Sequence, residues 1–307
     1  MKGGWESPIL LQLLDAFSIR DTSSVQYIEE EEATMRKFYS RGLMSGAVLM
    51  LTMVLGLTVG NAWATPTING AAIHLRVFND CPVSVVTVTN NYPALICIDD
   101  TLVVCTGFAN LHTWSFSSDG GATAAQFANG DMFTWSADMV ISGTGQGEAG
   151  LRLSPWWSPD ADGLFNVRTT DGEIACFGGR LPFFSFTAAF GLVYTKGDPI
   201  HLEMNYLPNG LSQANPATIE YKLVYHGVPY TSGPVAFDQG NTAEDPPHGL
   251  WGCLTPAYAG GAMKIFLSNG NFDTDQLQVC WTGIDFQIAK PTATVTRSWG
   301  GLKLLYR

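Results

Sequence analysis

Three glutamates are the residues best suited to cleaving a glycosidic bond. Glu148 and Glu173 lie within a stretch rich in Trp, Arg and Asp, and Glu203 follows in a later alternating segment. Glycosidic hydrolysis needs two carboxyl groups at a fixed separation. These glutamates are therefore the candidate catalytic residues if the chain is an enzyme. The sequence as a whole favours a protein without catalytic residues, because a polar row such as His201, Glu203 and Asn205 is also what a solvated strand face looks like.

Arginines form the second group of candidates. Arg152, Arg168 and Arg180 stand close together in a chain that has only 16 basic residues. Arginine pairs with carboxylates in a bidentate manner, so this clustering indicates either a ligand clamp or a shared ion-pair network. We predict a ligand-binding role for all three and keep structural pairing as the alternative. Glu148 and Arg152 are four residues apart, so on a strand they share a face.

Tryptophans supply the third group. Trp156 and Trp157 are adjacent, so on a strand one ring would pack in the core while the other is free to stack on a sugar ring. Trp251 lies in a second Trp-bearing loop. All three are predicted ligand-binding residues.

Metal binding has only weak support. Asp160-Ala-Asp162-Gly163 partly resembles a calcium loop, but the remaining oxygen ligands of such a loop are missing. We expect a turn there, with calcium at Asp160 and Asp162 as the alternative and no other cofactor. The five histidines form no zinc motif, and the sequence contains no nucleophile elbow.

The elements that position these residues are strands. Short segments such as 133–142, 200–206 and 217–225 alternate between apolar and polar residues, and Gly, Pro and Asn separate them. We also predict strands over 102–105 and 189–194, and no amphipathic helix of ten residues after residue 64. Twelve or more such strands predict an all-β fold, a two-sheet antiparallel β-sandwich or jelly roll over residues 65–289.

The N-terminal segment has the pattern of a signal peptide. Arg36, Lys37 and Arg41 precede an apolar run over 43–59, and Asn61-Ala-Trp-Ala64 fits a cleavage site. We predict a signal peptide over 35–64, with a signal anchor as the alternative. Residues 1–34 are then either disordered or the product of an upstream start codon, and residues 290–307 form a linker and short tail. The sandwich is predicted to be secreted, periplasmic or on the cell surface, without a membrane span after cleavage.

Charge and cysteine content narrow the choice of partners. The formal net charge is −11, which argues against nucleic acid as a partner. All six cysteines follow residue 64, and an oxidising compartment permits disulfides. A local bridge between Cys97 and Cys105 is one option, and free buried cysteines at 97, 176 and 280 are the other. Oligomeric state is left open.

The order of several segments resembles concanavalin A-like lectin and glucanase domains. The segments are 133–142, Glu148-Ala-Gly-Leu-Arg-Leu, Asp162-Gly-Leu-Phe-Asn-Val-Arg, Leu192-Val-Tyr-Thr-Lys-Gly and Ile200-His-Leu-Glu-Met-Asn-Tyr. The resemblance implies a jelly roll whose concave face binds glycans. That superfamily's catalytic carboxylate strand and calcium loop have no counterpart here, so no catalytic residue is transferred.

Three functions follow from this reading. The first is a secreted, non-catalytic protein that binds a glycan or another cell-surface component. The second is a glycoside hydrolase or polysaccharide lyase that acts on an extracellular polysaccharide. The third is a structural envelope or matrix protein.

Overall fold

The computed structural model describes residues 66–237, 251–253, 255–267 and 274–288, and within them the fold is almost entirely β. One short helix, α1 (Phe186–Phe190), interrupts fourteen strands. The strands are β1 (Gly70–Asn79), β2 (Val85–Asn91), β3 (Leu95–Thr101), β4 (Ala109–Ser117), β5 (Phe133–Ser142), β6 (Gly147–Pro155), β7 (Leu164–Arg168), β8 (Ile174–Phe177), β9 (Phe184–Ser185), β10 (Ile200–Leu207), β11 (Thr218–Tyr225), β12 (Val228–Ala236), β13 (Ala257–Phe266) and β14 (Gln276–Ile288).

The strands form two seven-stranded antiparallel sheets. The first sheet has the order β1-β4-β13-β6-β7-β8-β9, and the second has the order β12-β11-β10-β5-β14-β3-β2. Neighbours in the first sheet come from distant parts of the chain, since β13 lies between β4 and β6. The predicted all-β sandwich of two antiparallel sheets is confirmed.

The core lies between the sheets and is rich in aromatic side chains. Along β10 every second residue is buried, as the alternation of the sequence predicted. Trp114 of the first sheet meets Trp281 of the second with ring centroids 6.0 Å apart, and both are fully buried. Edge-to-face contacts of this kind add to the free energy gained from removing large apolar surfaces from water. One face of each sheet is thereby occupied by the core, and the outer faces remain for function.

Two predicted strands are absent from the described residues. Around residue 102 the chain makes only two backbone bonds, from Leu102 N to Asp275 O at 2.8 Å and from Thr274 N to Leu102 O at 3.0 Å. It then turns away to join Cys81 through Cys105. Residues 189–194 begin inside α1, because Ser185 caps this helix and Gly191 ends it in a left-handed conformation.

Two disulfides cross-link the described chain, Cys81–Cys105 and Cys97–Cys280, while Cys176 and Cys253 are buried free thiols. The expected bridge between Cys97 and Cys105 is wrong, and so is the alternative of free thiols at 97 and 280. Cys97 lies directly opposite Cys280 on the neighbouring strand β14. Only the pairing of β3 with β14 brings together two cysteines that are 183 residues apart.

Replacing both Cys97 and Cys280 by serine is expected to lower the free energy of unfolding by about 2–5 kcal/mol, because the bridge closes a very long loop in the unfolded chain. Urea unfolding under oxidising conditions measures this change. The matched control replaces Cys81 and Cys105, whose loop spans 24 residues and should contribute less. An unchanged unfolding midpoint for the first variant would contradict the prediction.

The predicted signal peptide over 35–64, the segment 1–34 and the tail 290–307 all lie outside the described residues. Within the described ranges, no helix has the length and apolar character needed to cross a membrane.

Candidate functional site

The outer face of the second sheet carries paired, solvent-exposed charges. His201 Nδ1 lies 2.8 Å from Asp138 Oδ1, and Lys222 Nζ lies 3.0 Å from Glu203 Oε1. Neighbouring strands in register make these pairs, and all four side chains are partly open to solvent. Glu203 therefore lies on the opposite side of the sandwich from Glu148 and Glu173, which the first sheet carries. The three candidate glutamates do not converge.

The outer face of the first sheet is different, because its polar groups are buried. One row of directly opposed residues crosses five strands, and we call it the central row. Its members, from β1 to β7, are His74, Thr113, Ala262, Gly150 and Asn166. Gly150 leaves the middle of the row without a side chain, and an added Cβ there would meet the carbonyl of Phe165. The result is a shallow bed of small residues with polar side chains on both sides.

Several polar atoms on this face lack a hydrogen-bond partner within the described part of the chain. His74 Nε2, Thr113 Oγ1 and Asn166 Oδ1 belong to the central row, and Arg152 Nε belongs to the row beside it. Buried polar groups in proteins are nearly always satisfied, so such a concentration calls for an explanation. These atoms have almost no exposed surface, so a ligand rich in hydroxyl and carboxylate groups reaches them only if the groups above them move.

Arg152 is the most deeply buried cation of this face, with no exposed surface. Its guanidinium donates to Ser115 Oγ at 2.5 Å, to Ser154 Oγ at 2.9 Å and to the carbonyl of Pro159. Its nearest carboxylate is that of Asp160, 4.0 Å from Nη2. Burial lowers the pKa of Arg152 to about 10, which still leaves it charged at neutral pH, and Asp160 acts in the opposite direction.

Asp160 also links Arg152 to the far edge of the sheet. Its Oδ1 lies 3.8 Å from His74 Nδ1 on β1, so the connection over 156–163 folds back from β6 across β13 and β4. Tyr258 on β13 is half-buried nearby, and its pKa is raised by burial and by the charge of Asp160. We call Arg152, His74, Tyr258 and Asp160 the arginine centre. It sets one cation and two groups capable of proton transfer around a single carboxylate.

A second polar group lies one row beyond the central row. Glu148 is buried, and its two oxygens accept from Lys264 Nζ at 2.6 Å and from Asn166 Nδ2 at 3.0 Å. Arg168, opposite Glu148 on β7, is held by two carboxylates. Its Nη2 lies 2.6 Å from both Asp171 Oδ2 and Glu173 Oε2.

The two bonds from Arg168 to Asp171 shift the ionisation of both groups. The hydrogen bonds that Arg168 donates to Asp171 are the main cause of the raised pKa of Arg168 and of the lowered pKa of Asp171. Both groups therefore stay charged over the physiological range. The structural pairing that the sequence analysis kept as an alternative accounts for what Arg168 contacts.

An open cavity of about 460 Å³ lies beside this charged group. Two of its lining residues are aromatic. Phe108 is 54 % exposed, and its ring centroid is 6.0 Å from that of Phe266. The full lining consists of Phe108, Glu148, Arg168, Thr170, Asp171 and Phe266.

The predicted tryptophans lie elsewhere. Trp156 and Trp157 follow β6 in a turn, not on a strand, with ring centroids 5.8 Å apart in an edge-to-face contact. Trp156 is 43 % exposed and lies in the connection that covers the arginine centre. The carbonyl of Trp251 accepts from Ala217 N at 2.7 Å, beside the start of β11 in the second sheet. Arg180 is half-buried between β8 and β9. Ligand binding by these four residues stays a prediction.

The calcium alternative receives no geometric support. Among the described residues, no three His, Cys, Asp or Glu side chains converge on a site for a metal ion. Asp160 faces a cation and a histidine, while the Asp162 carbonyl accepts from the Ser154 hydroxyl. Calcium at Asp160 and Asp162 remains an untested prediction.

Sequence reasoning missed five of the residues on this face: His74, Thr113, Asn166, Tyr258 and Lys264. Each lies in a strand of ordinary composition, and only strand pairing brings them together. The sequence offered one signal: Glu148 and Arg152 are an even number of residues apart in β6, which correctly predicted that they share a face.

A search of solved structures matches this chain to alginate lyases. An alginate lyase of polysaccharide lyase family 7, AlgAT5, is 9% identical over 72% of this chain and 95% of its own, with a TM-score of 0.40. The alginate lyase from Klebsiella pneumoniae is 8% identical over 66% of this chain and 84% of its own, with a TM-score of 0.38. Family 7 alginate lyase A1-II′ in complex with substrate is 7% identical over 64% and 79%, with a TM-score of 0.36. A scan against protein-family models and a search of curated proteins find no match.

This comparison corrects the first functional prediction. The solved structures named above are polysaccharide lyases, so the comparison speaks for the alternative of a polysaccharide lyase and against the predicted non-catalytic binding protein. What this chain's own residues can do is argued from the outer face of the first sheet.

Proposed function

We propose that the chain is a polysaccharide lyase that cleaves an acidic polysaccharide on the outer face of the first sheet. One observation carries the proposal: the buried guanidinium of Arg152 and the imidazole of His74 face the same carboxylate, that of Asp160, at 4.0 and 3.8 Å. Because Arg152 and His74 hold the carboxylate of Asp160 between them, the same two groups have the charge needed to bind the carboxylate of a uronate. The unpartnered polar atoms of the central row extend this site along the bed of small residues.

The chemistry that suits these residues is β-elimination. A base removes the proton next to the uronate carboxylate, the bond to the glycosidic oxygen breaks, and an acid protonates the departing oxygen. The products are a new chain end and a sugar with a carbon–carbon double bond. A cation that binds the carboxylate stabilises the negative charge that develops on it. Arg152 is placed for that task, and His74 and Tyr258 are the candidate base and acid.

Hydrolysis fits the same face less well. It requires two carboxyl groups that flank the bond. Glu148 is bound by Lys264 and Asn166, and Glu173 is bound by Arg168, so Arg168 separates the two glutamates. Glu203 lies on the other sheet.

Entry of a polymer requires the connection over 156–163 to move. Asp160 would then leave Arg152 and His74, and the substrate carboxylate would take its place. Movement of loops over a catalytic centre is common in enzymes and occurs on the microsecond to millisecond timescale.

The product distinguishes the reactions. The purified chain is incubated with a panel of acidic polysaccharides that includes alginate, the substrate named for the solved structures of similar fold. We expect new reducing ends together with the ultraviolet absorbance of an unsaturated sugar. Reducing ends without this absorbance would show hydrolysis and contradict the proposal, as would the absence of cleavage on every polysaccharide tested.

Such an activity belongs outside the cytoplasm, where its substrate is found. The two disulfides support this location, since disulfides persist in oxidising compartments. Secretion through the segment 35–64 is part of the proposal.

A further inference from the structure

The cavity beside Glu148 differs in charge from the arginine centre. Its immediate ion pairs join two cations, Lys264 and Arg168, to three carboxylates, those of Glu148, Asp171 and Glu173. Each of the three contacts between a cationic nitrogen and a carboxylate oxygen is 2.6 Å long. A ligand carboxylate placed here would meet an excess of negative charge, and like charges brought together weaken binding.

The walls of the cavity favour a sugar ring. Phe108, immediately before β4, is 54 % exposed, and Phe78 meets it edge-to-face with ring centroids 6.3 Å apart. Lys264 Nζ lies over the Phe108 ring, 5.8 Å from its centre, so a polar group is fixed at one face of this ring. An aromatic face next to carboxylates and Thr170 matches a pyranose, which has an apolar face and hydroxyl groups at its rim.

We propose that this cavity is a subsite for an uncharged sugar residue, so that the preferred substrate carries a uronate at the arginine centre and a neutral sugar at the cavity. This inference rests on the proposed function, because it assigns the uronate to the arginine centre. The central row joins the two sites across the same face. A polysaccharide in which uronates and neutral sugars alternate is therefore a better substrate than one made of uronates alone.

Two matched probes test the subsite by binding alone. A mannose oligosaccharide and a mannuronate oligosaccharide of the same length and linkage differ only in their carboxylates. Calorimetric titration of wild type and the Phe108→Ala variant with the mannose oligosaccharide should show binding that is weakened by roughly three- to tenfold in the variant. The control is Phe183→Ala, since Phe183 is 70 % exposed beyond β8 and does not line the cavity.

A charge variant tests the exclusion of carboxylates. Asp171→Asn removes one of the two carboxylates that hold Arg168, so the mannuronate oligosaccharide should bind about two- to fivefold more tightly than to wild type. Affinity for the mannose oligosaccharide should not rise with it. Equal effects of Phe108→Ala and Phe183→Ala, or tighter binding of mannuronate than of mannose to wild type through Phe108, would overturn the subsite.

Failure of the subsite and failure of the proposed function give different results. If the mannose oligosaccharide binds through Phe108 but no polysaccharide yields an unsaturated product, the subsite stands as a binding site and the lyase proposal fails. If unsaturated product forms and Phe108→Ala changes neither mannose binding nor the preference between alternating and all-uronate polysaccharides, the lyase proposal stands and the subsite fails.

Discussion

Replacing His74 by alanine is expected to lower kcat/KM for the cleaved polysaccharide by about 10²- to 10⁴-fold, the range found when a general acid or base is removed. His74 Nε2 has no hydrogen-bond partner among the described residues, and Nδ1 faces Asp160 at 3.8 Å. Nε2 is buried in this arrangement, so it meets substrate only after the connection over 156–163 has moved, and until then the Asp160 carboxylate faces the other ring nitrogen. The loss should fall mainly on kcat, because binding depends on Arg152 and on the other residues of the face.

The control for this variant is His226→Ala. His226 also pairs with a carboxylate, that of Asp198 at 2.8 Å, but it lies in the turn after β11 on the second sheet. Its removal should change activity by less than about twofold, within the usual effect of an exposed pair. A His74→Ala variant that keeps wild-type kcat and an unchanged melting temperature would remove His74 from the mechanism.

Replacing His112 by leucine is expected to destabilise the fold by about 3 kcal/mol at neutral pH, because it removes a hydrogen-bond donor from a buried carboxylate. His112 Nε2 lies 2.9 Å from Asp100 Oδ2, and both side chains are fully buried between the sheets. Because His112 Nδ1 accepts from Arg76 N at 3.1 Å, its Nε2 carries the proton and donates to Asp100. Asn110 Nδ2 donates to the same oxygen at 2.9 Å.

These donors also set the pH dependence. Burial alone would raise the pKa of Asp100, but the hydrogen bonds from His112, Asn110 and Ser84 outweigh it, so the pKa is lowered. A carboxyl group with a lowered pKa stabilises the fold above its unfolded pKa of about 3.9, and this contribution is lost as the pH falls through the folded pKa. Wild type should therefore lose stability at acid pH. The difference between wild type and His112→Leu should shrink there.

Urea unfolding at neutral and acid pH measures both effects. The matched control is His201→Leu, since His201 pairs with Asp138 at 2.8 Å on the solvent-exposed face and should change stability by less than about 1 kcal/mol. The double variant His112→Leu/Asp100→Leu should recover part of the loss, because it no longer buries an unsatisfied carboxylate. Equal destabilisation by His112→Leu and His201→Leu would contradict the assigned role of the buried pair.

Local patterns were enough to predict much of the sandwich. The alternation over 133–142 and 200–206 appears as β5 and β10, because one face of each strand packs against the core. The alternation of apolar and polar residues gave wrong predictions where a few residues determine the backbone conformation. Ser185 and Gly191 cap a helix within a segment whose apolar content resembles a strand. Residues 102–105 leave the sheet because Cys105 forms a disulfide with Cys81.

By itself the sequence determined an all-β chain with two sheets, the shared face of Glu148 and Arg152, and the cysteines available for bridges. Periodicity of two fixes which side chains share a face of one strand, and that information is local. Only the tertiary structure decided which strands are neighbours. The insertion of β13 between β4 and β6 puts Lys264 beside Glu148, and the return of residues 156–163 puts Asp160 between Arg152 and His74. Contacts between residues so far apart along the chain depend on the packing of the whole sandwich, which leaves no trace in the spacing of any one strand.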